Sequence, residues 1–249
     1  MQRVRRDIMG VKFDSVTLSQ SIENAMDIIE RHECGYVVTP NPEILWMCRN
    51  EPSLLAALNA ADMVLPDGVG VMYSAKILNK PLEEKVSGVD FGIGLIKRLA
   101  EAGKSIYLLG AKPGVAQAAA SELRKDYSGI EIKGLHHGFF DDDEEIIGEI
   151  NDARPDFLMV CLGAPRQEKW MLENKGKLDV GIMAGLGGVL DVLSGTAKRA
   201  PQSWQDKNLE WLYRLLKEPK RIKRQIKIPL FLLTVIGRRM RDGDEDGER

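Results

Sequence analysis

The chain has 249 residues, 44% hydrophobic and 29% charged, with a net charge of −2; this suits one α/β domain, or one domain plus a small appendage. No run of about 18 apolar residues occurs, which excludes a transmembrane helix, and residues 1–14 carry basic side chains without the apolar core of a secretory signal, so the chain reads as cytosolic. Its cysteines, Cys34, Cys48 and Cys161, are odd in number and form no CxxC pair, so neither a disulfide framework nor a zinc site is supported and they read as reduced, mostly buried thiols.

In chain order, residues 8–20 alternate apolar and polar around Gly10, as a strand or hairpin does. Residues 19–31 (SQSIENAMDIIER) keep helical spacing at Ile22, Ala25, Met26 and Ile29 behind a Ser cap. GYVVTPNPEILW predicts a buried strand at 36–38, a Pro/Asn loop and a helix from Pro42. ADMVLPDGVGVMYSAKIL repeats that grammar with a strand at 63–65, and SIYLLGAKPGVAQAAASELRKDY with one at 105–109. IEIKGLHHGFF is a strand and loop before a helix from about Asp143. DFLMVCLGAPRQEKWM and VGIMAGLGGVLDVLSG are two more strand–loop–helix units. Short apolar strands alternating with helices predict a mainly parallel, Rossmann-like sheet with flanking helices. Ligands bind such sheets beyond the carboxyl ends of the strands.

Residues 198–241 hold 13 Lys/Arg against 3 Asp/Glu, whereas residues 242–249 hold 5 acids and one Arg. The pattern divides the chain into a core (1–197), a basic amphipathic appendage (198–241) and an acidic, disordered tail (242–249). Trp204 to Leu216 reads as one amphipathic helix, with a second from Pro219. Residues 228–236 (IPLFLLTVI) are too short to span a bilayer but suit lying on one, so the basic arm favours a membrane over nucleic acid.

The strand exits carry the candidate chemistry. Asp67 in LPDGVG is either a turn residue or a carboxylate held at the ligand edge as a general base. Thr39 and Asn41 sit in the neighbouring exit, either as caps of the next helix or, beside Asp67, as part of a polar substrate pocket. LLGAKPG places Gly110, Lys112 and Gly114 where a glycine loop can hold phosphate, yet it matches neither GxGxxG nor GxxxxGK[ST]. GLGG (185–188) precedes Asp191. In GAPRQEKW, Gln167 stands at the mouth of its unit, where it would hold a sugar hydroxyl or phosphate, or simply start a helix. DDDEE (141–145) resembles a DxD metal site, but acids also favour a helix's first turn. His136 and His137, being adjacent, should point to opposite sides of an extended segment. Arg214, Arg221 and Arg224, seven and three residues apart, fall near one helical face and suit diphosphate recognition, or form a solvated basic face.

TPNPEILW, ADMVLPDGVGV, VSGVDF, YLLGAKPG, GFF, PDFLMVCLGAPRQEKW, GLGGVLDVLSGTAKRAP and EWLYRLLKEPKRIKR, in this order, resemble the WecG/TagA/CpsF family of bacterial glycosyltransferases. The last block looks closest to the TagA branch. The resemblance implies inverting transfer of N-acetylmannosamine from UDP-ManNAc to undecaprenyl-diphosphate-linked GlcNAc, making the β-1,4 linkage-unit disaccharide of wall teichoic acid. It implies no metal cofactor, and an appendage that docks the protein peripherally on the inner face of the cell membrane. By the same resemblance Asp67 is the base, with Thr39 and Gln167 beside it. Asn41, Lys85, Asp90, Gly110, Gly163, Gly185, Gly187 and Asp191 contact substrate, and Arg214, Arg221 and Arg224 close over the diphosphate. Family members commonly carry Arg, Thr and Phe where Lys85, Ser87 and Leu190 stand. Other donors (UDP-ManNAcA, UDP-glucose), a non-catalytic membrane adaptor and an NAD oxidoreductase are the competing readings. Exposed apolar surface awaiting lipid would favour homo-oligomers in solution.

Overall fold

A computed structural model describes residues 4–217 and 227–247. Its centre is a six-stranded, wholly parallel sheet built from β3 (Gly35–Val38), β4 (Met63–Val64), β5 (Ser105–Gly110), β6 (Glu131–His136), β7 (Phe157–Cys161) and β8 (Ile182–Gly185). The spatial order is β4-β3-β8-β7-β5-β6. An antiparallel hairpin, β1 (Arg5–Ile8) and β2 (Val11–Asp14), stands apart from it. Its turn residues Met9 and Gly10 both have positive φ, as the twist of a two-residue hairpin turn requires. Asp14 fastens the hairpin to the sheet: it is fully buried, pairs with Arg5 at 3.1 Å and accepts from Val64 N–H at 2.8 Å.

The strands are apolar on both sides because helices cover both faces. Leu158 and Val160 of β7 face one core, while Phe157, Met159 and Cys161 face the other, the period-two alternation of a pleated strand. The first layer contains α2 (Pro42–Met47), α3 (Pro52–Asn59), α4 (Val69–Ile77), α7 (Asp143–Ala153) and α8 (Arg166–Asn174). The second contains α1 (Leu18–Arg31), α5 (Gly88–Glu101), α6 (Val115–Asp126) and α9 (Val189–Leu193). The chain leaves β5 through α6 towards β6 on one flank, and leaves β7 through α8 towards β8 on the other. The exits of these neighbouring strands therefore diverge, which opens a crevice between them at the carboxyl edge.

Several local expectations change. Helix α1 is capped by Thr17 in a reciprocal box with Gln20, not by a serine. The segment read as one helix from Trp204 to Leu216 is two, α10 (Gln202–Asp206) and α11 (Glu210–Lys217). Asn208, at φ 58, breaks it, and Trp204 packs edge-on to Tyr213 with ring centroids 5.6 Å apart. The C-terminal helix, Lys227–Gly247, carries helical backbone into the stretch expected to be a disordered tail; extending a helix already nucleated costs little. It packs on α2 and α4, with Phe231 and Val235 fully buried in the first core. The expected helix start at Pro219 lies outside the described residues, as do Arg221 and Arg224.

Candidate active site

The carboxyl edge of the sheet gathers most of the candidate residues. Thr39 leaves β3, only 8% exposed, and its hydroxyl donates to Gly185 O at 3.3 Å across the β3–β8 pair. The first turn of α5 approaches the same loop closely: a Cβ on Gly88 would stand 3.0 Å from Thr39 Oγ1. Asn41 caps α2: its side-chain oxygen accepts from Glu43 and Ile44 N–H at 3.0 and 3.1 Å. That oxygen is spent on the helix, and only the amide nitrogen is left for a ligand. Asp67 leaves β4 next door, half-buried, and its N–H donates to Pro40 O at 3.3 Å, which joins the two exit loops. Gly68 follows at φ 86, where glycine alone is unstrained, and turns the chain into α4.

Gln167 sits at the start of α8, 3% exposed. Its Oε1 accepts from Gly163 N–H at 3.2 Å and from Gly187 N–H at 3.0 Å, tying the exits of β7 and β8 together. Its amide nitrogen donates to Glu168 at 2.9 Å. The residue expected to hold a hydroxyl or phosphate thus works first on its own backbone. Gly163 and Gly187 adopt φ 79 and 53. Gly185 is closely covered: a Cβ would lie 2.8 Å from Met171 Cε and 3.0 Å from Gln167 Nε2, so those side chains would have to shift to admit one.

The crevice between the β5 and β7 exits has a volume of about 260 Å³ and is lined by Lys112, Phe139, Cys161, Leu162, Arg166 and Asp191, among others. Gly110 permits it, since a Cβ there would collide with the Cys161 carbonyl. Arg166 is fixed at the rim by donating to Gly138 O at 2.7 Å, with its guanidinium 4.6 Å from the centre of the Phe140 ring. Burial pushes the Cys161 thiol up to about 12, so it lines the floor as a neutral group. The crevice thus offers two cations and a carboxylate around an apolar floor. Three strand steps, on the order of 14 Å, separate β7 from β4 and its Asp67.

Lys85 and Asp90 are turned to other partners. Asp90 accepts from Ser87 Oγ and pairs with Arg199, both at 2.6 Å, while Lys85 donates to Asn208 at 3.2 Å. These contacts join the α5 start to the beginning of the appendage. Arg199 was missed by motif reasoning, although it belongs to the GTAKRAP block already singled out. Arg214 lies on α11, but its side chain is outside the described residues.

The acidic run behaves as a helix start: Asp142 caps α7 through Glu144 N–H at 2.9 Å, and Asp143, Glu144 and Glu145 fill its first turn. Among the described residues no group of three His, Cys, Asp or Glu side chains is arranged to hold a metal ion. His136 and His137 do not point apart. The strand ends at His136, and the rings meet at a 4.4 Å centroid separation.

On the outer side of the C-terminal helix, Leu230, Leu233, Ile236 and Met240 are exposed beside Arg238, Arg239 and Arg241. A Cβ on Gly70 would lie 3.8 Å from Ile228 Cγ2, so this helix starts against the element that follows Asp67. No described helix is long and apolar enough to cross a membrane.

The sequence matches the glycosyl transferase WecG/TagA/CpsF family over residues 6–245. Among curated proteins it resembles N-acetylglucosaminyldiphosphoundecaprenol N-acetyl-beta-D-mannosaminyltransferase from Staphylococcus aureus strains MW2 and NCTC 8325. Each is 33% identical over 232 residues, covering 92% of this chain and 91% of the relative.

Proposed function

Because the chain belongs to the WecG/TagA/CpsF family of glycosyltransferases, we propose that it transfers N-acetylmannosamine from UDP-ManNAc to undecaprenyl-diphosphate-linked GlcNAc. The observation that carries this reading is the gathering of Thr39, Asp67 and the Lys112–Arg166–Asp191 crevice along one sheet edge. A nucleotide-sugar laid along that edge would put its nucleoside in the crevice by Asp191, its diphosphate over the Gly185–Gly188 turn, and its sugar before Asp67.

Asp67 then takes the proton from the acceptor's 4-hydroxyl as that oxygen attacks the anomeric carbon. The bond to UDP breaks on the opposite face, giving a β-1,4 product with inversion. Charge grows on the departing diphosphate, and fixed cations stabilise it. Arg214, Arg221 and Arg224 belong to the arm proposed to close over the diphosphate, and Lys112 and Arg166 stand at the nucleoside end of the same path. This supply of cations is the ground for proposing that transfer needs no metal. The exposed Leu230–Met240 stripe with its flanking arginines suits an anionic lipid surface, where a lipid-linked acceptor resides. The protein would work peripherally on the inner membrane face.

The test is a donor panel (UDP-ManNAc, UDP-ManNAcA, UDP-glucose) with an undecaprenyl-diphosphate-GlcNAc acceptor, with and without chelator. Rapid, chelator-resistant formation of the ManNAc disaccharide supports the reading. Preference for another donor would redirect it, and no transfer from any donor would refute it.

A further inference from the structure

Glu168 is 1% exposed, and nothing in the transfer scheme uses it. One carboxyl oxygen accepts from Gln167 Nε2 at 2.9 Å; the other is buried without a hydrogen-bond partner. A buried, half-satisfied carboxyl is costly, and a leucine of similar size would fill the space without that cost. Burial pushes its pKa up, which favours the neutral acid.

What the carboxyl does is visible in its neighbour. The Gln167 amide must present oxygen, not nitrogen, to the N–H groups of Gly163 and Gly187. An amide turned over would set NH₂ against two N–H donors. An acceptor beside its nitrogen fixes the productive orientation, and Glu168 is that acceptor. Gly163 is also held from the other side, because Gln167 N–H donates to Gly163 O at 3.0 Å.

We propose that Glu168 is a positioning residue. It orients the Gln167 amide, and the amide in turn locks the β7 and β8 exit loops to each other. The catalytic consequence rests on the transferase reading above, in which the β7 exit borders the nucleoside and the β8 exit carries the donor diphosphate. The lock itself does not depend on that reading.

The test compares Glu168→Gln, which keeps an oxygen for Gln167 Nε2, with Glu168→Leu, which removes it. Three measurements are made on the full chain: melting temperature, hydrogen exchange at Gly163 and Gly187, and turnover with UDP-ManNAc. The expected result for Glu168→Leu is an unchanged or higher melting temperature, with exchange at both glycines faster by about 10-fold, the value of a typical hydrogen bond. Turnover should fall by about 10- to 100-fold, because small misplacements at a reacting site are amplified. Glu168→Gln should match wild type in exchange and stay within about 3-fold in turnover. Unchanged glycine exchange in Glu168→Leu overturns the proposal, as does equal damage from the two variants, or a loss that only follows melting temperature. Wild-type protein without transfer activity would instead refute the transferase reading, and the exchange data would still decide the lock.

Discussion

Phe231 anchors the C-terminal helix beside the Asp67 loop, so its removal should detach that helix while leaving the sheet intact. Phe231 and Val235 are the side chains this helix buries fully among those described. Each contributes on the order of 1.5–3 kcal/mol by burial, so the pair supplies roughly 3–6 kcal/mol of docking. Phe231→Ala removes about 3 kcal/mol or more once the cavity it leaves is included. That should raise hydrogen exchange across residues 228–236 by about 100-fold. Peptide-resolved exchange measures it, with strands β5 and β7 as internal controls expected to stay protected. Turnover on lipid-linked acceptor should fall as well. Unchanged exchange in the helix would refute the anchoring argument. Equal loosening of β5 and β7 would show that the helix is part of the cooperative core and not a docked appendage.

Gly185→Ala should disturb the β8 exit, because the new methyl would press on the Gln167 amide at 3.0 Å, whereas Met171 Cε, 2.8 Å away, is the end of a flexible side chain that can move. Overpacking of this kind costs about 1–3 kcal/mol, to be read from chemical unfolding, with a larger loss in turnover. Asp156 bears a pH signature. Burial raises its pKa, but bonds from Ser105 Oγ and N–H, with the Lys104 ammonium, outweigh that and hold it below the usual carboxylate range. A carboxyl depressed in the folded state contributes stability above its unfolded pKa and loses it as pH falls through the folded one. Asp156→Asn should therefore cost about 1.5–3 kcal/mol at pH 7. The gap to wild type should narrow as unfolding is followed below pH 4, and a pH-independent gap would contradict the assignment.

The sheet was legible because its strands are short apolar runs closed by Gly or Pro, and each strand exit could be found before any contact was known. Asn41 as a cap and the acidic run as a helix start were readable from local rules for helix ends. Other features depended on contacts distant in sequence. No spacing rule announces that Gln167 reaches Gly187, or that Arg199 pairs with Asp90 109 positions away. The break at Asn208 was hidden because the apolar period runs on through it, while the backbone there turns left-handed. Likewise, IPLFLLTVI looks uniformly apolar in sequence, and only packing divides it into a buried side at Phe231 and Val235 and an exposed one at Leu230 and Leu233.

The pairing of Asp67 with the β5–β7 crevice in one reaction site is tested most directly by Asp67→Asn. Turnover with UDP-ManNAc and lipid-linked GlcNAc should be measured beside UDP affinity by calorimetry. Loss of a general base predicts a fall of about 10²–10⁴-fold in kcat, with UDP affinity within a few-fold of wild type. Turnover close to wild type, or loss of UDP binding in step with turnover, would contradict the account.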